Sequence, residues 1–175
     1  MRRLLVMAAL VALSATSAPA ASSLPLTAPR GFTIAVIAHV PQARELAVAP
    51  NGDLFVGTLG DAVYVIPHPD GEPGTPRVFV RMSDRPANGI AFGPDALFVG
   101  TQFGVWKVPY KEGDEKANGA PHRIATVRSS GISGRHVTTT LAFSRGTLYA
   151  GIGSSCDACD PEVDKTRASV QTMNP

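Results

Sequence analysis

A histidine, two cysteines and a run of acidic residues fall within the stretch from Gly134 to Asp160, GRHVTTTLAFSRGTLYAGIGSSCDACD. His136 is suited to general-base work, because an imidazole with an unperturbed pKa near 6.5 offers its neutral form at working pH. At the start of a strand, the same histidine can equally serve as an exposed hydrogen-bonding residue. Cys156 and Cys159 are the chain's two cysteines. In an oxidising compartment such a pair is most simply a disulfide closing a very short loop. A two-residue spacer also suits a redox dithiol or half of a zinc site, but no thioredoxin-like context and no second ligand pair accompanies it. Covalent c-type haem is excluded, because no histidine follows Cys159. Asp157, Asp160, Glu162 and Asp164 offer oxygen ligands to calcium or simply form a solvated loop. His39, His68 and His122 stand beside prolines or in turn-rich segments, match no motif, and are expected to be exposed.

These groups need elements to bring them together. Val137 to Ser144 and Thr147 to Ile152 are rich in β-branched and aromatic residues and are separated by Arg145-Gly146. That pattern predicts a β-hairpin. In an antiparallel pair the start of the first strand lies beside the end of the second, so His136 and the cysteine loop should share one end of the sheet.

The hairpin has two further copies. Leu46 to Thr58 reads LAVAPNGDLFVGT, Ile90 to Thr101 reads IAFGPDALFVGT, and Leu141 to Ile152 reads LAFSRGTLYAGI, with starts 44 and 51 residues apart. Each is an alternating strand, a turn and a strand ending in small residues. The first two are followed by further strand-like segments, Ala62 to Ile66 with Arg77 to Met82, and Val105 to Val108 with His122 to Val127. A strand-like Ala168 to Thr172 follows the third. Repeats of this length with four strands per unit are the signature of propeller blades. The fold class is therefore all-β, a β-propeller of four-stranded blades, of which about three are present. Leu46, Val48, Ile90, Phe92, Leu141 and Phe143 are the expected residues between blades. Seventeen glycines and fifteen prolines interrupt the apolar segments, and none holds a helical period over three turns. Closure needs roughly four to eight blades, so the chain is expected to be the amino-terminal part of a longer protein.

Met1 to Ala20 carries two arginines, a short apolar run from Leu4 to Leu13 and a small-residue exit, which reads as a secretory signal peptide. Residues 21–175 would then form the partial propeller, in the periplasm or outside the cell, with no membrane span once the leader is removed. Without Arg2 and Arg3 the sixteen Lys and Arg fall to fourteen and match the fourteen Asp and Glu. A formally neutral chain gives no support for a nucleic-acid partner.

With its blade repeats ELAVAPNGDLFVGT and NGIAFGPDALFVGT, then GRHVTTTLAF, LYAGIGSSCDACD and RASVQTMNP, the chain resembles the glucose/sorbosone dehydrogenase family, particularly its sorbosone-dehydrogenase-like branch. The resemblance covers nearly all the chain after the leader and the first half of such a protein. It implies a six-bladed propeller that oxidises a sugar or related alcohol with pyrroloquinoline quinone (PQQ) and passes electrons to an external acceptor. It also implies that His136 is the general base taking a proton from the substrate hydroxyl as hydride moves to the quinone. Arg135 departs from the pattern, because the soluble glucose enzymes carry an aspartate immediately before that histidine. The family's catalytic arginine, its basic cofactor-binding residues and its calcium ligands come from later blades, so this chain alone is expected to be inactive.

Glu45 and Asn88 stand just before two blade-starting strands, where polar groups can converge on a central channel. They motivate an alternative, a metal-dependent hydrolase of the gluconolactonase type, whose repeats PANGIAFGPDALFVG also resembles. That reading leaves His136 and the cysteine loop unexplained. A non-catalytic binding propeller is the third class and would need neither set.

Overall fold

The computed structural model describes residues 26–128, 136–157 and 159–175. The expected signal peptide lies outside these residues. The chain divides into Met1–Ala35 and Val36–Pro175, and every strand lies in the second unit. Among the described residues there is no helix long and apolar enough to cross a membrane.

The first sheet runs β1 (Ala43–Val48), β2 (Leu54–Thr58), β3 (Ala62–Ile66), β4 (Arg77–Arg81). The second runs β5 (Gly89–Phe92), β6 (Ala96–Gly100), β7 (Gly104–Pro109), β8 (His122–Thr126), and the third β9 (Thr139–Ser144), β10 (Thr147–Ile152), β11 (Ser169–Met173). In each sheet spatial order follows chain order and every pairing is antiparallel. These are propeller blades, two of four strands and a third with three described strands. The first strands meet, β1 against β5 and β5 against β9, so the blades fan out from their inner strands.

Alternation along the strands decides what lies between blades. Even-sided residues of one strand face one neighbour and odd-sided residues the other. Between the first two blades, Phe55 is fully buried and meets Phe79 and Phe92 edge-on, both with ring centroids 4.9 Å away. Each such aromatic pair adds about 0.5–1.5 kcal/mol beyond the area it buries. Ile90, Leu97 and Val99 complete this core from the second blade. On that blade's other face Ala91, Phe98 and Val105 join Leu141, Leu148 and Ala150 of the third, and Phe98 stacks on Phe143 at 5.8 Å.

Four of the six residues expected between blades are placed there: Ile90 and Leu141 are buried, and Phe92 and Phe143 are partly buried against the two cores. Leu46 and Val48 are not, being 62% and 65% exposed. Their strand turns Ala47 toward the second blade, so the alternate side chains point to the opposite face of the first blade. His39, His68 and His122 are exposed.

The small-residue strand ends also have a shared role. Thr58 donates its hydroxyl to the carbonyl of Ala62 at 2.7 Å, while Thr101 donates its hydroxyl to Asp84 at 2.6 Å and its backbone N–H to the carbonyl of Gly104 at 2.8 Å, fastening the turn in the first and second blades. The third copy has Ile152 in that place.

Candidate functional site

The hairpin β9–β10 is closed by Arg145 and Gly146, with φ of 50° and 81°. Positive φ at both central residues is the type I′ geometry, whose twist matches that of paired strands. The register sets Thr139 opposite Ile152. The residues just before β9 and just after β10 therefore lie side by side. A Cβ on Gly153 would stand 2.5 Å from the carbonyl oxygen of His136, so only glycine allows the two backbones to approach this closely.

His136 has φ of 53°, a left-handed conformation that few non-glycine residues adopt, although histidine does so more often than most. Its Nε2 lies 2.6 Å from Oδ1 of Asp157, the residue after Cys156. A carboxylate can only accept, so Nε2 carries the proton and donates, which leaves Nδ1 as the basic nitrogen of the neutral ring. The pair is partly open to solvent: the histidine side chain is 36% exposed and the aspartate 67%.

The loop that presents Asp157 is tied down on several sides. Cys156 and Cys159 are joined by a disulfide. The backbone N–H and hydroxyl of Ser155 both donate to Glu162, and this holds the Glu162 carboxyl below its ordinary range, the hydroxyl having the larger effect. Asp164 is likewise held down by the Thr166 hydroxyl and then the Thr166 N–H. Asp157, Glu162 and Asp164 thus each engage a different residue. Among the described residues, no three His, Cys, Asp or Glu side chains converge to hold a metal.

Glu45 and Asn88, the residues of the alternative, both reach between blades. One carboxylate oxygen of Glu45 accepts the backbone N–H groups of Ile90 at 3.3 Å and Leu141 at 3.4 Å. The side chain thus joins the inner strands of all three blades. Asn88 is fully buried and its amide nitrogen lies 3.5 Å from the carbonyl of Thr139. Burial raises the pKa of Glu45, partly offset by the N–H groups of Ile90 and Leu141 and by Arg44.

This direction sets a pH dependence. A carboxyl whose folded pKa is raised contributes stability below its ordinary range, and that contribution is lost as pH rises through the raised value. Glu45→Gln keeps an acceptor for both N–H groups and removes the charge. Its stability relative to the native protein should therefore rise as pH climbs from the ordinary carboxylate range through the raised value. Glu45→Ala should instead destabilise at every pH, by about 1–3 kcal/mol for each N–H left unpaired. Urea unfolding across that range checks both, and a Gln-minus-native difference independent of pH would remove the burial argument.

Asp157 and Arg167 are the residues that sequence reasoning passed over. Asp157 was legible only as one member of an acidic run, although its position between the cysteines puts it in the loop that the hairpin carries to His136. Arg167 is buried, and its guanidinium donates to three backbone carbonyls. Nothing in KTRAS distinguishes it from a surface arginine.

No family model and no curated protein matches the chain. Solved structures do. The holo PQQ domain of pyranose dehydrogenase from Coprinopsis cinerea superposes with a TM-score of 0.66 at 17% identity, over 79% of this chain and 35% of that one. A carbohydrate-active enzyme of family AA12 from Trichoderma reesei gives 0.65 at 18% identity, over 80% and 38%. The PQQ-bound aldose sugar dehydrogenase of Streptomyces coelicolor gives 0.62 at 19% identity, over 82% and 48%. The likeness shows that the chain shares the fold of these structures. The chain spans between about a third and a half of the length of these structures.

Proposed function

We propose that this chain is the histidine-bearing part of a PQQ-dependent dehydrogenase of sugars or related alcohols, exported by its leader to the periplasm or the exterior. The observation that carries the reading is the His136–Asp157 pair, at the end of a β9–β10 hairpin on the inner edge of a blade, in a fold shared with a PQQ-bound aldose sugar dehydrogenase.

The chain's own residues perform one half of an oxidation. Nε2–H of His136 donates to Asp157, which fixes the tautomer and aims the ring. Nδ1 is then free to accept the proton of a substrate hydroxyl brought within about 3 Å. As the proton arrives, the adjacent carboxylate offsets the charge of the imidazolium, the same division of labour as in a nucleophile–histidine–aspartate triad. A quinone cofactor, when bound, supplies the acceptor for the hydride.

Anionic PQQ needs basic groups other than the arginine buried beside His136. Carboxylates are best bound by basic side chains in bidentate pairs. The buried cation beside His136 is Arg167, and both of its terminal nitrogens are already engaged with carbonyls. On the family resemblance, the cofactor-binding groups and any calcium ligands are proposed to come from the family's later blades.

The test is dye reduction by the protein expressed from its whole coding region, titrated with PQQ and supplied with a panel of aldoses, ketoses and polyols. Dye reduction that requires both PQQ and a sugar is expected. Hydrolysis of a sugar lactone with a divalent metal and no PQQ would overturn the reading and return Glu45 and Asn88 to consideration.

A further inference from the structure

Arg167 is only 3% exposed and lies where the cysteine loop turns into β11. Its Nη1 donates to the carbonyl of Arg128 at 2.7 Å, and its Nη2 donates to the carbonyls of His136 at 2.8 Å and Ser154 at 2.9 Å. Three separate segments converge on this one side chain: the chain leaving β8, the backbone of the histidine, and the first residues of the loop that carries Asp157. Burying a cation without a carboxylate in direct contact is costly. The fold retains it here with its Nε unpartnered. A planar fork of donors spans carbonyls on three separate segments at fixed angles, whereas the three donors of lysine radiate from a single nitrogen.

We propose that Arg167 is the positioning residue of the site. Through the carbonyls of His136 and Ser154 it holds the histidine in its left-handed conformation and sets Asp157 within hydrogen-bond reach of the ring. This rests on the reading of His136 as the base. The strained backbone at φ 53° needs an external restraint to persist, and the guanidinium bonded to that residue's own carbonyl provides one. The disulfide closes the loop on itself but does not attach it to the histidine. Arg167 makes that attachment, because the same Nη2 bonds both sides.

The experiment compares the native protein with Arg167→Met, Arg167→Lys and, as a control for general loosening, Phe98→Leu in the core between the second and third blades. The first readout is the hydrogen-bonded Nε2 proton of His136, followed by NMR in the cofactor-free protein. The second is PQQ-dependent dye reduction, resolved into kcat and KM. In Arg167→Met the proton resonance should be lost to exchange, and kcat should fall by about 10²-fold, the scale of an ångström of misplacement. KM for sugar should change by less than about threefold, because the substrate contacts themselves remain. Arg167→Lys should lie between the two on both readouts, and Phe98→Leu should lower the unfolding temperature while keeping the resonance. An unchanged resonance in Arg167→Met would overturn the proposal, as would equal loss in Phe98→Leu. If the methionine variant does not fold, an unchanged resonance and kcat in Arg167→Lys overturns it instead. A native protein that shows the resonance but no PQQ-dependent turnover would sink the dehydrogenase reading, while the resonance in the variants still decides the clamp.

Discussion

Replacing His136 by asparagine should lower PQQ-dependent turnover by about 10²- to 10⁴-fold, the range for losing a general base, with little loss of stability. The choice of asparagine follows from the backbone. His136 lies at φ 53°, and asparagine is among the residues that enter the left-handed region most readily. Alanine there would mix a conformational penalty with the chemical one. Asparagine also keeps the carbonyl that Arg167 holds, so the loop stays attached. What it removes is the basic ring nitrogen, since an amide offers a lone-pair oxygen of negligible basicity. The fall should appear in kcat and kcat/KM alike, as expected for an interaction made mainly in the transition state. Asp157→Asn should cost less, because the ring keeps its basic nitrogen and loses only the carboxylate that steadies it. Steady-state dye reduction by both variants checks the ranking. Unchanged turnover in His136→Asn would remove the histidine from the mechanism.

The fold was legible because its signals are local and repeated. The three hairpin copies each carry their own turn residues, and the observed strands β3 (Ala62–Ile66) and β10 (Thr147–Ile152) begin and end where the apolar alternation does. The placing of His136 beside the cysteine loop followed from the hairpin, since a two-residue turn leaves one register. What sequence could not show is which face of a strand has a neighbour. Leu46 and Val48 alternate as Ile90 and Phe92 do, yet the first pair is exposed and the second is packed, because the difference lies in another part of the chain. The same limit hid Arg167. Its three carbonyl partners lie 13, 31 and 39 residues away in sequence, and a bond to a carbonyl places no demand on residue type there. Glu45 was noticed for its position, but its partners are again backbone groups, the N–H of Ile90 and Leu141. A site assembled from side chains leaves a motif; one assembled on main chain does not.

The glycines that end the repeats give the second large effect. Gly57 and Gly100 occupy the same place in the two Phe-Val-Gly-Thr copies. A Cβ at Gly57 would lie 2.1 Å from the carbonyl oxygen of Asn88, and one at Gly100 would lie 2.4 Å from that of Thr139. In both cases the obstacle is the backbone of the next blade's inner region, which cannot rotate aside. Either Gly→Ala should therefore push two blades apart and cost about 1–3 kcal/mol or more, as for overpacking a close-packed core. The two damaging variants should also differ from each other in function. Thr139 stands three residues after His136, at the start of the strand that follows the proposed base, so displacement by Gly100→Ala should carry to the site. Displacement by Gly57→Ala lands on Asn88, outside the β9–β10 hairpin. At equal loss of stability in urea, Gly100→Ala should lower turnover more than Gly57→Ala. A Gly100→Ala protein as stable as the native one would show that the blades are not in backbone contact there.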